Sequence, residues 1–401
     1  MRDTVRLLDE GPAWFRRFAY RIARGEGRLG RLADAVRFRY SEDEVPPIPA
    51  TAGQPVRLLI GPANSAGQGY EWARSAERNL PAVEAVSMEG IADPYFPKVD
   101  LRVPAGVYQR SGKWHDEFEA FIAGQTHVIW ESGLPLLGRA YGSVLIELAR
   151  LRALGISGAL MFHGSDIRPP SRHAAGSLWS PFRYPAGPAH ALEEAAARNS
   201  ALAVESGLPV FVSTPDLLRW VPEAVWCPLV VDPSVWRGAA LAPRSSGPLV
   251  VAHAPTQMWV KGTERILPML NRLAAEGIID YREVVGIPHA SMPAFYAGAD
   301  VVLDQFAIGS YGVTACEAMS AGLLVMGHVD DATRAVVRSH TGLELPVHEA
   351  TIESLEGELR RAAAEPAAFD SLREAGPSFV EAVHNGARSA AALAPFLGIS
   401  A

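Results

Sequence analysis

The chain has 401 residues, 48% of them hydrophobic, and a formal net charge of −7. It is too long for one core and too apolar for disorder, so two globular domains are expected. The acidic balance excludes a general nucleic-acid binder, which needs a basic footprint to displace counterions from phosphates. The two cysteines, Cys227 and Cys316, lie far apart with no CxxC pair, and no histidines stand at metal spacing. A reducing compartment, no structural zinc and no metal site are the expectation.

Residues 14–40, WFRRFAYRIARGEGRLGRLADAVRFRY, carry eight arginines against Glu26 and Asp34. Interleaved with Trp14, Phe15, Phe18, Tyr20 and Ile22, they read in one of two ways. One is a basic amphipathic helix on an anionic membrane surface. The other is a helix that packs its aromatic face on the body of the protein while its arginines pair with acidic neighbours; Gly25, Gly27 and Gly30 interrupt the pattern and favour this one. No run of eighteen apolar residues and no leader-like start is present, so a cytoplasmic protein is expected, with peripheral membrane contact through 14–40 as the minority reading.

After the proline-rich spacer 45–55, VRLLIG (56–61) predicts a strand, followed by a polar loop and a helix from Gln68 to Leu80. Strand patterns recur at 82–88, 127–130, 159–163 and 210–213, with helical stretches such as 135–154 and 187–206 between them. Residues 231–248, rich in Pro, Ser, Gly and Ala, read as an interdomain hinge. A second series follows: LVVAHA (249–254), a helix Thr263 to Ala275, YREVVG (281–286), a helix around Met292 to Ala297, DVVLD (300–304), a helix from Val313, and LLVM (323–326). Alanine-rich amphipathic helices close the chain over 351–397. Strands this apolar, alternating with helices, predict parallel sheets covered on both faces. The expected class is therefore α/β, two doubly wound Rossmann-like domains facing a central cleft, with ligands at the carboxyl ends of the strands.

In that frame QFAIGSYGVTACEAMSAG (305–322) is a strand-end loop leading into a helix whose start points into the cleft. The unpaired N–H groups of Val313 and Thr314, with the helix dipole behind them, suit a diphosphate, and Gly309 and Gly312 allow close backbone approach. Glu317 lies four residues beyond Val313, one turn or roughly 5.4 Å deeper, a step comparable to that from phosphate to ribose. A carboxylate there can accept both ribose hydroxyls. The plainer reading is a surface cap or pair, but among Ala315, Cys316, Ala318 and Met319 an unligated glutamate is costly.

GSYGVTACEAMSAGLLV resembles the donor-binding signature of retaining GT-B glycosyltransferases of family four, which transfer sugars from nucleoside diphosphate sugars. That family carries two glutamates eight residues apart, the second on the ribose. Glu317 matches the second, whereas the first falls at Gly309. With DQ at 304–305 followed by IG and YG, the stretch resembles a bacterial subgroup that lacks the first glutamate. Ser310 or Asp304 is then the candidate for its sugar contacts, with Tyr311 in the same loop.

The resemblance extends to HAPTQMWVKGT (253–263), where Lys261 and Gly262 open a helix and match the lysine that neutralises the donor diphosphate. The arginine usual about five residues earlier is absent; Thr256 stands there, and His253, Gln257 or an arginine of the first domain would share the task. MFHGSDIR (161–168) places His163 beside the donor sugar, with Asp166 nearby and Arg168 toward the acceptor or a phosphate; ordinary loop hydrogen bonding is the alternative. GPANSAGQGYEWA (61–73) resembles the family's first glycine-rich loop, with Gly67 and Gln68 at the cleft, although alone it is no dinucleotide fingerprint. EVVGIPHASMPAFYAGADVVLD (283–304) sets Gly286, Ile287 and Pro288 along the nucleobase.

The resemblance implies a metal-independent hexosyl-type transferase with no cofactor beyond its nucleotide-sugar donor. The acceptor is expected to be a glycan, a lipid-linked group or a small molecule, in bacterial glycan, glycolipid or polysaccharide synthesis. Its domain plan is a basic extension 1–50, an acceptor-side domain 51–235 completed by a C-terminal helix 377–401, and a donor domain 236–376. Two alternatives stay open: a nucleotide-sugar-binding protein without turnover, and a nucleotide-sugar epimerase.

Overall fold

The computed structural model describes residues 36–90, 95–138, 142–183, 189–237 and 247–400. Most of the arginine-rich stretch and half of the expected hinge lie outside these residues. The first sheet contains β1 Val56–Gly61, β2 Val83–Glu89, β3 Leu101–Arg102, β4 His127–Glu131, β5 Ser157–Phe162, β6 Val210–Val212 and β7 Val225–Trp226. Their order is β3-β2-β1-β4-β5-β6-β7, and every pairing is parallel. Leu59 stands beside Val86 on one side and Val128 on the other. Leu58, Leu59 and Ile60 are all fully buried, as an unbroken apolar run must be when helices cover both faces.

The second sheet contains β8 Leu249–His253, β9 Ile279–Glu283, β10 Val301–Leu303, β11 Leu324–Gly327 and β12 Val347–Glu349, in the order β12-β11-β10-β8-β9. It too is wholly parallel. Strand order reverses between β1 and β4 and between β8 and β10. Those reversals open crevices at the strand ends, because the following loops diverge to opposite faces.

The helices Gln68–Asn79, Thr263–Ala275, Met292–Tyr296 and Val313–Ser320 fall where the periodicity predicts them. The stretch 135–154 is helical only over Val144–Ala153, since Gly138 and Gly142 adopt positive φ. The buried Glu147 instead accepts the Leu136 and Leu137 amides at 2.9 Å each. The strand expected at 281–286 runs two residues earlier, and Gly286 at φ 80° follows its end.

The helix Ala387–Leu393 returns to the first sheet: Ala390, Leu393, Ala394 and Leu397 share a buried cluster with Leu58, Ile60 and Trp72. Ser389 Oγ donates to the Pro228 carbonyl at 2.7 Å. No helix among the described residues is long and apolar enough to cross a membrane.

Candidate functional site

A cavity of about 210 Å³ lies at the carboxyl ends of β8, β9 and β10, with Tyr95 and Phe96 contributed from the first half. Lys261 ends the short helix Met258–Lys261, and Gly262 turns the chain at φ 78° into the next helix. The Lys261 Nζ lies 3.3 Å from Asp304 Oδ1 and donates to Thr314 Oγ1 at 3.1 Å. Asp304 Oδ2 accepts the Gly312 N–H at 3.1 Å. One carboxylate therefore fixes both the lysine and the loop before the helix Val313–Ser320. Gly312, Val313, Thr314 and Glu317 all line the cavity, as do Gly286 and Ile287 on the opposite wall. The first N–H groups of a helix have no intrahelical partner, so this end presents positive partial charge beside the Lys261 ammonium.

Glu317 is 3% exposed. Its Oε1 accepts a hydrogen bond from His289 Nε2. Burial pushes the Glu317 carboxyl up from its ordinary range, and the His289 bond and charge oppose this only partly. For His289 burial works downward, but the Glu317 bond and charge outweigh it, so the imidazole is held above its usual value. The His289 backbone N–H also donates to the Tyr95 carbonyl at 2.9 Å.

A second cavity, of about 220 Å³, shares Ala66, Phe96, His289, Val313 and Glu317 with the first and is bounded by Gly67, Gln68, Glu71 and Trp236. Gly67 takes φ 72° and a Cβ there would touch Phe96 at 3.4 Å. Gln68 gives both ends of its amide to Val230, donating to the carbonyl at 3.1 Å and accepting the N–H at 2.7 Å. That side chain closes the loop against the linker at the edge of the second cavity.

His163 stacks on Trp72 with centroids 5.5 Å apart, and its Nε2 lies 3.0 Å from the buried Glu131 Oε1. Burial lowers this imidazole's pKa, yet Glu131, with Asp166 behind it, more than reverses the effect. The other Glu131 oxygen accepts the Ala63 and Asn64 amides at 3.1 and 2.8 Å. The glycine-rich loop after β1 is thus tied to the His163 loop after β5 through one carboxylate on β4. Asp166 is occupied: it accepts the His163 and Gly164 amides and the Ser132 hydroxyl. The loop-bonding alternative describes its role.

Several solved structures resemble this chain over most of its length. They include a sucrose-phosphate synthase from Thermosynechococcus elongatus, 14% identical over 84% of this chain and 96% of that one, with a TM-score of 0.53. HepE of Anabaena, solved in complex with UDP and glucose, is 11% identical over 85% and 99%, with a TM-score of 0.55. A glycosyltransferase from Rickettsia africae is 10% identical over 85% and 97%, with a TM-score of 0.52. The fold is GT-B. Comparison with family models and with curated protein sequences gives no match.

Within this GT-B fold several expected site residues face elsewhere. Gly309 does not line the cavity: it adopts φ 76°, and a Cβ there would meet Asp330 Oδ2 at 3.2 Å. Ser310 is buried and donates to Asp216 Oδ1 at 2.6 Å. Arg168 is buried as well and pairs with Asp216 Oδ2 at 2.6 Å. Asp216, ionised because Arg168 and Ser310 outweigh its burial, thereby clasps the two halves together and leaves neither residue for an acceptor or a sugar. Tyr311 is buried with its hydroxyl on His384 Nε2 at 3.2 Å. His253 cannot share a phosphate's charge. Its Nδ1 meets the Leu303 carbonyl and its Nε2 meets Thr263 Oγ1, each at 2.8 Å, and burial lowers its pKa to about 3. Among the described residues no cluster of three or more His, Cys, Asp or Glu side chains is arranged to hold a metal.

Sequence reading missed Glu131, His289, Phe96 and Asp216. Glu131 carried a usable signal, a lone carboxylate at the end of the apolar run HVIWE. The others lie in loops or a short 3₁₀ turn with no pattern that marks them.

Proposed function

We propose that this chain is a glycosyltransferase that moves a sugar from a nucleoside diphosphate sugar to an acceptor hydroxyl. The observation that carries the proposal is the grouping of Lys261, the start of the Val313–Ser320 helix and Glu317 in one cavity between the two sheets. Together they supply, in line, a cation and N–H donors for a diphosphate and a carboxylate for a ribose. The structural likeness to a HepE complex holding UDP and glucose agrees with a nucleotide-sugar donor.

In the proposed reaction the bond from the anomeric carbon to the diphosphate oxygen breaks, with the leaving charge stabilised by Lys261 and the helix start. The acceptor oxygen bonds the same carbon from the same face, giving retention. Its proton passes to the departing phosphate oxygen. His163, held by Glu131, orients the sugar, and no metal or further cofactor takes part. Gly286 and Ile287 flank the base. Residues 51–235 with the returning 377–401 form the acceptor-side unit and 236–376 the donor unit. We further propose hexosyl transfer in glycan or glycolipid synthesis at a cytoplasmic site, as the family-four resemblance implies.

Calorimetry with uridine, guanosine and adenosine diphosphate sugars tests this reading. Lys261→Ala and Glu317→Ala should each lower donor affinity about tenfold or more, consistent with a lost charge-assisted hydrogen bond, while their melting curves stay cooperative. Unchanged affinity in both variants would sink these roles. A binding protein without turnover is the competing reading, favoured by Gly309, where the family's carboxylate is missing and the backbone turns toward Asp330. Slow release of free sugar from the donor separates the two, since only a transferase leaks product to water.

A further inference from the structure

On the donor-site reading above, the ability of Glu317 to read a ribose depends on how its carboxylate is held. Glu317 sits on a helix otherwise packed with Ala315, Cys316, Ala318 and Met319, all buried. A carboxylate there stays ionised only if something compensates its lost hydration. Among the described residues the main compensating partner is His289, which bonds Oε1, and the Lys261 charge adds to it. Among the described residues the one side-chain hydrogen bond to this carboxylate comes from His289 to Oε1, and the glutamate lines the cavity.

His289 is itself fixed on three sides. Its backbone N–H is tied to Tyr95, its ring lies 4.8 Å from Phe96, and Trp236 stands 5.7 Å away on another flank. Phe96 belongs to the first half and Trp236 to the linker, so the ring is caught where three parts of the chain meet. An ionised carboxylate only accepts hydrogen bonds, so Glu317 can serve as an acceptor for a ribose only with the proton of the pair on Nε2. The imidazole therefore occupies one lone pair of Oε1 and leaves Oε2 for incoming donors.

We propose that His289 is a positioning residue that holds Glu317 ionised and turned so that the site selects ribonucleotides over 2′-deoxyribonucleotides. A protonated Glu317 would offer one hydroxyl donor and a weaker acceptor, and could not take both hydrogens of a ribose diol. Without His289 the carboxylate loses the hydrogen bond that turns it, and the diol preference goes with it.

The experiment uses the full chain, with UDP, GDP and ADP first titrated by calorimetry and the tightest then compared with its 2′-deoxy form. Wild-type protein should prefer the ribo form by about tenfold, the value of one hydrogen bond to a charged group. H289A should bind both forms alike, within about twofold, near the affinity of the wild type for the deoxy form. H289Q, which keeps an N–H for Oε1, should restore most of the preference, a rescue that a merely structural loss would not show. A full ribose preference in H289A, or none in the wild type, overturns the role of His289 while leaving nucleotide binding intact. Failure of the wild type to bind any of the three diphosphates overturns the donor-site reading itself.

Discussion

Gly309 shows how one backbone conformation decides what chemistry a loop can carry. Its carbonyl accepts the Asp330 amide at 3.0 Å and the Thr333 hydroxyl at 3.1 Å, which locks the residue at φ 76°. A side chain here is strained by about 1–2 kcal/mol from the left-handed geometry alone. A glutamate would also bring its stem to the Asp330 carboxylate, 3.2 Å from the Cβ position. Gly309→Glu, the change that would recreate the first glutamate of the family the sequence resembles, should therefore lower stability by roughly 2 kcal/mol or more in urea unfolding. It should leave sugar release no faster than in the wild type. A tenfold gain in release would show that the loop can turn its carboxylate into the cleft after all. The missing carboxylate was legible in the sequence. Its reason was not, because Asp330 arrives from the far end of another strand.

At the scale of elements, the helix Val313–Ser320 is held by a neighbour that periodicity alone does not pair with it. The helix Asp370–Val383 packs across Val313–Ser320, and Gly376 makes the close approach: a Cβ there would stand 2.8 Å from the Met319 carbonyl oxygen. Alanine is worth about 1 kcal/mol over glycine inside a helix, but overpacking against rigid backbone costs about 1–3 kcal/mol. The clash wins because a backbone oxygen cannot step aside as a side chain can. Gly376→Ala is thus expected to lower the urea midpoint by about 1 kcal/mol of stability and to weaken nucleotide binding through the displaced helix; a stabilised variant with unchanged affinity would contradict both. Sequence patterns revealed β1, β4, β5, β8 and β10 because strands buried on both faces are unbroken apolar runs. They did not reveal the two-residue strands β3 and β7, too short to show a period, nor the His289–Glu317 pair, whose members lie 28 residues apart. Helix geometry placed Glu317 one turn below Val313, but nothing local to either residue announces a partner from the loop after β9.

The molecule as a whole is sewn together by histidines that must stay neutral. His384 is the clearest: its Nδ1 donates to the Leu229 carbonyl at 2.7 Å, and its carbonyl accepts the Val231 amide at 2.8 Å. Its Nε2 can then only accept, and it meets the Tyr311 hydroxyl at 3.2 Å. The linker, the loop after β10 and the returning chain converge on this ring. Burial lowers its pKa to about 4, and the same cause, with Arg168 adding to it, brings His173 to about 4 where it contacts the Ile308 carbonyl across the two halves. In the unfolded chain both titrate near 6.5. Below pH 6.5 the unfolded state therefore binds protons that the folded state refuses. Each histidine then removes about 1.4 kcal/mol of stability per pH unit until its folded value is reached. Above pH 6.5 neither contributes a slope. His163 and His289, shifted upward, act in the opposite sense only above that pH. Buried Glu147, pushed upward by desolvation, offsets part of the loss as the pH nears the carboxylate range. Urea midpoints measured from pH 7 to pH 5 should fall on acidification. In His384→Gln, which keeps a donor and an acceptor but cannot titrate, the fall below pH 6.5 should be shallower by about 1.4 kcal/mol per unit. Parallel curves for variant and wild type would mean that His384 takes up its proton in the folded state, and that the seam opens before the fold does.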